Sequence, residues 1–281
     1  MFNDLSHHEN HVENSLLGQS TEYPQQYSPS VLYPIARSLG REHIAHAEQI
    51  QGLQQGTDWW HVFELSWLNP QGIPQVAIGR LHIPAESPYL IESKSLKLYF
   101  NSFNFEQMSR EKLIATVQDD LSSVAAAQVK LELFDANQLD VAQLMGQCLD
   151  HLQPSKIEYH PNAQLLQKKA DATQGEFYYH SNLLRSNCPV TSQPDWGTVF
   201  IRYQGQAVCE ESLLAYIISY RQHNGFHEQC VEQIYADIWQ QLQPEKLMVY
   251  AAYTRRGGLD INPCRVSHLD WLPQPVRLAR Q

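Results

Sequence analysis

The sequence has no apolar run that approaches the length of a membrane span, and its polar, acidic start lacks the basic residues and apolar stretch of a signal peptide. Positive charge is also scarce, because 20 lysines and arginines stand against 30 acidic residues and leave a net charge of −10. This balance argues against direct binding to a nucleic-acid backbone, which needs a positive surface. We therefore expect a cytoplasmic protein that binds neither membranes nor nucleic acid directly.

Cysteine is sparse and irregularly placed. The five cysteines are odd in number and widely spaced, and no CxxC pair occurs among them. Neither a disulfide framework nor a structural zinc site is indicated, so most of these thiols are expected to be small buried apolar side chains. The signatures GxGxxG and GxxxxGK[ST] are absent too, which excludes the Rossmann and P-loop modes of nucleotide binding.

The residues that are present predict a packed α+β protein, since 43% are hydrophobic and 18% are charged. Residues 1–55 are rich in Gln, Ser, His and Pro and predict an extended lead-in with short local elements. Hydrophobic periodicity then predicts strand, strand, helix, helix and strand, with Ser109 capping the second helix. These elements cover residues 59–68, 73–82, 91–103, 109–125 and 128–134.

The C-terminal half repeats this order of elements. The predicted strands and helices cover residues 177–186, 198–203, 210–222, 226–242 and 247–253, with turns at Gln204-Gly205 and after Tyr253. Two similar halves favour a tandem α+β protein with antiparallel sheets and a pair of helices in each half. We place the domains at 1–150 and 151–281; the alternative is one irregular domain whose halves match by chance. A doubly wound parallel sheet is disfavoured because strands and helices do not alternate strictly.

The first candidate for chemistry is Cys188, followed seven residues later by Asp195. Proline after Cys188 disfavours helical geometry there, so the thiol is expected at a strand end or loop, where it can face a pocket. Asp195 lies between Pro194 and Trp196, whose apolar surface could desolvate the carboxyl and raise its pKa toward that of a proton donor at neutral pH. Taken alone, the pair is better explained as a structural thiol beside a turn aspartate.

The second candidate is the segment His223 to Glu228. Asn224-Gly225 ends the preceding helix, so His227 and Glu228 are expected in the first turn of the next one, where the helix dipole favours an ionised Glu228. A fixed carboxylate can accept two parallel hydrogen bonds, as the N1–H and 2-amino groups of a guanine-like ring would donate. Zinc binding by the two histidines is disfavoured, since the intervening loop removes them from one helix face.

Two basic segments suit phosphate groups. Lys94 and Lys97 fall on one helical face of ESKSLKLY (92–99), and two guanidiniums stand beside a flexible backbone in Arg255-Arg256-Gly257-Gly258. Each segment is equally explained as a solvated helix start or a turn. The residues alone leave both alternatives open.

These four pieces, in this order, resemble the 7-cyano-7-deazaguanine reductase family, also called QueF, in its long tandem form. The stretches at 92–99, 186–197, 226–234 and 253–263 match the family's motifs, and FELSWLNPQGIPQVA (63–77) is similar as well. The resemblance extends from about residue 15 to the end. Cys264 departs from the pattern, since an aromatic residue is expected there.

The resemblance implies two tandem tunnelling-fold (T-fold) domains, a homodimer, and NADPH-dependent reduction of a nitrile to an amine in queuosine biosynthesis for tRNA modification. Cys188 would be the nucleophile that forms a covalent thioimide, and Asp195 would protonate the nitrogen. The remaining implied roles fall into two groups. Substrate binding is implied for Ile91, Glu92, Ser93, His227 and Glu228, and NADPH binding for Ser93, Lys94, Arg256 and Gly257.

Three other activities remain as alternatives. A nitrilase-type thiol hydrolase would act on a nitrile without NADPH, but it needs a base and a lysine, and nothing near Cys188 in the sequence suggests them. A cyclohydrolase-like enzyme would use Glu228 for its pterin ring yet have little use for ESKSLKLY. A purine- or pterin-binding protein without catalysis would need Glu228 and leave Cys188 idle.

Overall fold

The computed structural model of the protein describes residues 23–281. Its strands are β1 Pro34–Ala36, β2 Gly56–Leu68, β3 Pro74–Pro84, β4 Tyr89–Ile91, β5 Lys130–Phe134, β6 Gln147–Cys148, β7 Gln174–Asn187, β8 Pro194–Gln206, β9 Lys246–Tyr253 and β10 Leu259–Val266. Its α-helices are α1 Ser38–Arg41, α2 Ser93–Asn101, α3 Arg110–Ala125, α4 Glu210–Ser219 and α5 His227–Leu242.

One eight-stranded sheet joins the two halves, in the spatial order β5-β3-β2-β10-β9-β8-β7-β6. Its ladders are antiparallel except for the two-residue pairing of β6 with β7. The halves meet where β10 pairs with β2 over seven residues, from Leu259 opposite Val62 to Arg265 opposite Gly56. The predicted α+β class with antiparallel pairing is confirmed, and the sheets of the halves are continuous.

Each half packs a pair of helices on the same sheet through its own apolar core. In the N-terminal half, α3 buries Leu113, Val117, Leu121 and Ala125, which recur every four residues and therefore share one helix face. In the C-terminal half, α4 and α5 pack on β7, β8 and β9 through a second cluster of buried residues. The order strand, strand, helix, helix, strand is thus confirmed in both halves, with Ser109 accepting the capping hydrogen bond from the Lys112 N–H.

Two expectations from the sequence need correction in the C-terminal half. No turn occurs at Gln204-Gly205, because β8 continues to Gln206 and Gly205 pairs with Gly175. Strand β10 was not predicted, because it contains Pro263, which has no N–H to donate to a ladder. Proline is accommodated because β10 pairs with β9 only from Cys264 onward.

The lead-in contributes short elements that pack on both halves. Strand β1 pairs with β4, and Leu32 lies in the N-terminal core, whereas Ile44, Ile50 and Leu53 lie in the C-terminal core. This agrees with the prediction of local elements and no separate domain; the part of that prediction covering residues 1–22 lies outside the described residues. Within residues 23–281, no helix is long and apolar enough to span a membrane.

Candidate active site

A cleft of about 240 Å³ gathers the four motifs that the sequence singled out. Its walls come from α2, from the connection between β7 and β8, from the first residue of α5, and from the β9–β10 hairpin. The residues that line it are Ser93, Lys94, Lys97, Cys188, Thr191, Gln193, His227, Thr254, Arg256, Leu259 and Ile261. Segments from both halves of the chain therefore form one site.

Cys188 lies directly after β7, outside any helix, as the following proline predicts. Its N–H donates to the Gln193 carbonyl at 2.9 Å and closes a short turn, and its side chain is 5% exposed at the cleft wall. The preceding residue, Asn187, donates its N–H to the His223 carbonyl at 2.8 Å and accepts one from the Gly225 N–H at 3.1 Å. These bonds hold the strand end against the segment that leads into α5.

Asp195 is buried on β8 between two basic side chains. Arg256 Nε forms an ion pair with Asp195 Oδ1 at 2.9 Å, and His227 Nε2 lies 3.4 Å from Oδ2. The expectation that Trp196 would desolvate this carboxyl is wrong, because neighbouring strand residues point to opposite faces. Trp196 is 38% exposed and stacks against two arginine side chains on the other face. The burial of Asp195 comes instead from its position behind the cleft wall.

His227 connects the cleft to this carboxylate. It is the first residue of α5, and its ring stacks on Tyr253 with 3.9 Å between centroids and 4° between planes. The stacking fixes the ring plane, so that Nε2 points toward Asp195. Its Nδ1 is buried and has no hydrogen-bond partner among residues 23–281. His227 therefore has one ring nitrogen facing Asp195 and a second that bonds no described residue.

Glu228 is 3% exposed, and its carboxylate makes no hydrogen bond to a side chain or to another residue's backbone within the described part of the chain. Burial raises its pKa from 4.5 to about 7, and the negative charge of Asp58 adds to this effect, whereas His227, Arg37 and the backbone at the start of α5 oppose it. The helix-dipole argument from the sequence gave the direction of only one contribution. Desolvation outweighs it, so Glu228 titrates near neutral pH.

Glu92 and Ile91 lie behind the cleft wall, and Ser93 lines it. The Glu92 carboxylate caps α2, accepting from the Lys94 N–H at 2.6 Å and the Ser95 N–H at 2.8 Å. Burial raises its pKa even though these donors oppose the shift. Ile91 is buried in the N-terminal core and pairs with Pro34.

Basic side chains converge on one side of the cleft. Lys94, Lys97 and Arg256 all line it, together with Cys188. Gly257 has a φ of +59°, which favours glycine, and a Cβ added there would lie 2.5 Å from Lys97 Nζ and would displace that ammonium. A set of cationic donors beside a hydroxyl at a helix start suits anionic phosphates.

His223 and His227, the two histidines considered as zinc ligands, lie on separate elements. His223 ends the short 3₁₀ helix after α4, and burial lowers its pKa, whereas His227 begins α5. Within residues 23–281, no group of three or more His, Cys, Asp or Glu side chains is arranged to hold a metal ion.

Sequence reasoning missed several residues of the site. Tyr253 supports the His227 ring, and Thr254, Leu259 and Ile261 line the cleft. The motif at 253–263 was the available signal, but without strand β10 its side chains could not be directed into the cleft.

Comparison with known proteins identifies the family of the chain. Residues 23–133 match the family model described as nitrile reductase, 7-cyano-7-deazaguanine-reductase N-term, and residues 194–270 match the model described as QueF-like protein. The NADPH-dependent 7-cyano-7-deazaguanine reductase of Acinetobacter baylyi is 66% identical over 96% of this chain and 99% of its own. That of Psychrobacter cryohalolentis is 52% identical over 95% and 99%.

Among solved structures, the archaeosine synthase QueF-Like in the apo form is similar at 17% identity with a TM-score of 0.30, covering 35% of this chain and 95% of its own. The relatives above, by contrast, align along nearly the whole length of both chains and at identities far beyond chance. The chain belongs to the 7-cyano-7-deazaguanine reductase family.

Proposed function

We propose that this protein reduces the nitrile of 7-cyano-7-deazaguanine to the primary amine of 7-aminomethyl-7-deazaguanine with NADPH, in the pathway to queuosine in tRNA. The observation that carries the proposal is the convergence of a thiol, a buried carboxylate–histidine pair and three cationic side chains on one cleft. A free base as substrate also agrees with the acidic net charge of the chain.

The thiol of Cys188 is the proposed nucleophile. Its sulfur adds to the nitrile carbon, one C–N π bond breaks, and the nitrogen takes up a proton, which gives a covalent thioimide. A thiolate suits this step because it is strongly nucleophilic and later leaves readily from the reduced carbon. The turn closed by the Cys188 N–H and the Gln193 carbonyl holds the sulfur at the cleft wall.

Asp195 and His227 are proposed to move the protons. Each can pass a proton to the other across 3.4 Å, and the stacked Tyr253 ring keeps the imidazole in that orientation. Arg256 holds the other oxygen of Asp195 and so leaves a single oxygen free for exchange. The pair would donate to the nitrogen as the thioimide forms.

Glu228 is proposed to recognise the ring of the substrate. Its buried carboxylate offers two acceptors without a competing donor from the described residues, which matches the N1–H and 2-amino donors of a deazaguanine. His227 would lie beside the ring, and Ile91, Glu92 and Ser93 would complete the pocket from the α2 side.

NADPH would be held by Ser93, Lys94, Arg256 and Gly257 on the cationic side of the cleft. The donor set fits its phosphates, and the absence of a Cβ at Gly257 leaves room for Lys97 to reach the same region. When bound, NADPH supplies one hydride to the thioimide carbon and a second to the imine that remains after the thiol leaves.

The division of the chain is part of the proposal. Residues 1–150 would form one T-fold domain that supplies the cofactor motif, and residues 151–281 would form the second, with the nucleophile, the proton donor and the ring-binding residues. Two separate apolar cores support two domains, and Ile44, Ile50 and Leu53 of the lead-in pack in the second core. We further propose a cytoplasmic homodimer, which sedimentation of the purified protein tests directly.

The deciding experiment measures NADPH oxidation and amine formation with and without 7-cyano-7-deazaguanine. The wild type should consume two NADPH per amine, Cys188→Ala should consume none, and Cys209→Ala should match the wild type because Cys209 lies outside the cleft. Ammonia release without NADPH would instead show a nitrilase-type hydrolase. Tight binding of the base with no turnover in any variant would favour a binding protein.

A further inference from the structure

A buried cluster of five charged side chains lies beside Glu228. Helix α5 carries Glu232 one turn after Glu228, so the two carboxylates share one helix face. Glu232 accepts from Arg265 on β10 at 2.8 Å and from Arg41 on α1 at 2.7 Å. Arg265 also donates to Asp58 on β2 at 2.7 Å. The cluster therefore ties three elements from both halves to the helix that carries Glu228.

The fifth member, Arg37, donates hydrogen bonds from two of its three guanidinium nitrogens. Its Nη2 donates to Asp58 Oδ2 at 2.6 Å, and its Nε donates to Ser87 Oγ at 3.0 Å. Its Nη1 is buried, has no hydrogen-bond partner among residues 23–281, and lies 3.8 Å from Glu232 Oε1. That oxygen already accepts from Arg265 and Arg41, which explains why Nη1 finds no bond there.

The charges of the cluster do not cancel. Three guanidiniums, from Arg37, Arg41 and Arg265, face two carboxylates, from Asp58 and Glu232, which leaves one positive charge in a buried site. A buried charge without compensation is costly, so a further anion nearby is stabilising. Glu228 lies on the same helix face and is buried to 3%. Its ionised carboxylate would complete the balance.

We propose that Arg37 is a positioning residue for substrate recognition: held by Asp58 and Ser87, its unused guanidinium edge keeps the neighbouring Glu228 carboxylate ionised and directed at the substrate ring. This inference rests on the proposed function for the identity of that ring. It assigns to Arg37 an action through Glu228, with no contact to the substrate, because its side chain is 2% exposed.

The electrostatic neighbours of Glu228 agree with this assignment. Burial and the carboxylate of Asp58, on β2, raise the pKa of Glu228, whereas His227, on α5 itself, and Arg37, between β1 and α1, lower it. Asp58 is itself buried, but Arg265 and Arg37 hold its pKa below the usual value, so it stays anionic. Removing the Arg37 charge would therefore leave the negative charge of Asp58 acting on Glu228 with less positive charge to oppose it, because only Arg265 would still bond Asp58.

The test measures the affinity for 7-cyano-7-deazaguanine between pH 5.5 and 9 in the Cys188→Ala protein, where no covalent step follows binding. With Arg37 present, affinity should rise with pH to a midpoint near 7. Arg37→Met should move that midpoint upward by about one unit or more, a tenfold loss at pH 6 to 7. Arg37→Lys keeps the charge, so its midpoint should lie close to that of the protein with Arg37.

Arg41→Met is the matched control, because it removes another guanidinium of the same cluster that bonds Glu232 and the Ala85 carbonyl. Its midpoint should stay where it was. Equal loss of affinity at all pH values in Arg37→Met, or equal shifts in both variants, would overturn the positioning role.

A second measurement separates this proposal from the proposed function. Infrared difference spectra against Glu228→Gln follow the protonation of this carboxyl without any ligand. If the deazaguanine fails to bind the reference protein, the proposed function falls, but the Arg37→Met shift in the Glu228 titration must still appear. An unmoved Glu228 titration in a folded Arg37→Met protein would refute the role of Arg37.

Discussion

Two glutamates of the site differ in how the fold uses them. Glu92 and Glu228 both lie at the start of a helix, and both are nearly inaccessible, at 1% and 3% exposure. The carboxylate of Glu92 accepts hydrogen bonds from the backbone N–H groups of Lys94 and Ser95. That of Glu228 accepts none from a side chain or another residue's backbone within residues 23–281. One carboxylate is bonded by its own helix, and the other is left with acceptors unused.

The difference lies in what offsets the desolvation cost of each carboxylate. Hydrogen bonds to a buried carboxylate offset part of its desolvation cost, so Glu92 stabilises α2 from its position behind the cleft wall. Little offsets the desolvation cost of the Glu228 carboxylate, and its pKa is raised to about 7 because the folded state disfavours its charged form. A buried polar group that lacks hydrogen bonds until a ligand supplies them suits a recognition site. The comparison predicts opposite consequences for the same substitution at the two positions.

The largest expected effect is on substrate affinity. Glu228→Gln removes the charge and leaves a single acceptor for two ring donors, so affinity for 7-cyano-7-deazaguanine should fall by about two to three orders of magnitude. Glu92→Gln should weaken binding much less, because its oxygens already face the helix. Calorimetric titration in the Cys188→Ala background measures both. Equal losses would show that the two carboxylates share the ring.

The next effect concerns stability, and its sign differs between the two positions. A carboxyl whose pKa rises on folding stabilises the protein fully below its unfolded pKa of 4.5, and this contribution disappears as pH rises through about 7. Glu228→Gln should therefore stabilise the fold above pH 7 by about 3 kcal/mol relative to pH 4.5. Glu92→Gln should destabilise it by about 1 kcal/mol, because the amide turns a donor toward a backbone N–H.

Urea unfolding at pH 5 and pH 8 tests these signs. The difference between Glu228→Gln and the wild type should grow with pH and level off above 7. A destabilised Glu228→Gln protein at pH 8 would mean that its carboxylate is bonded in the folded state, and the contrast between the two glutamates would disappear.

The sequence could predict the parts of this site that depend on local pattern. Helix starts at Ser93 and His227, the strand end at Cys188 and the turn at Gly257 all follow from capping, proline and glycine rules. Strand β10 could not be predicted, because Pro263 and alternating polar residues obscure it. Its pairing with β2 is what brings the two halves of the cleft together.

The charged cluster beside Glu228 lies beyond any single-sequence argument. Arg37 and Arg265 stand far apart in the chain, and neither belongs to a motif; only the folded sheet brings both to Asp58. The burial of Glu228 is likewise not predictable from the sequence. The spacing of residues placed Glu228 at a helix start and favoured its charge, whereas desolvation, which depends on the whole fold, reverses the balance.

The smallest expected effect is the pH dependence of substrate binding. It distinguishes Glu228 from Glu92 directly, because it follows the ionisation of one carboxylate. Only the ionised form of Glu228 accepts two hydrogen bonds, so affinity in the Cys188→Ala protein should rise about tenfold between pH 6 and pH 8 and then level off. Glu228→Gln should lose this rise, and Glu92→Gln should keep it, because its substitution leaves the titrating group in place. A pH profile that survives Glu228→Gln would transfer the titration to His227 or Asp195, and the unused acceptors of Glu228 would then have no part in recognition.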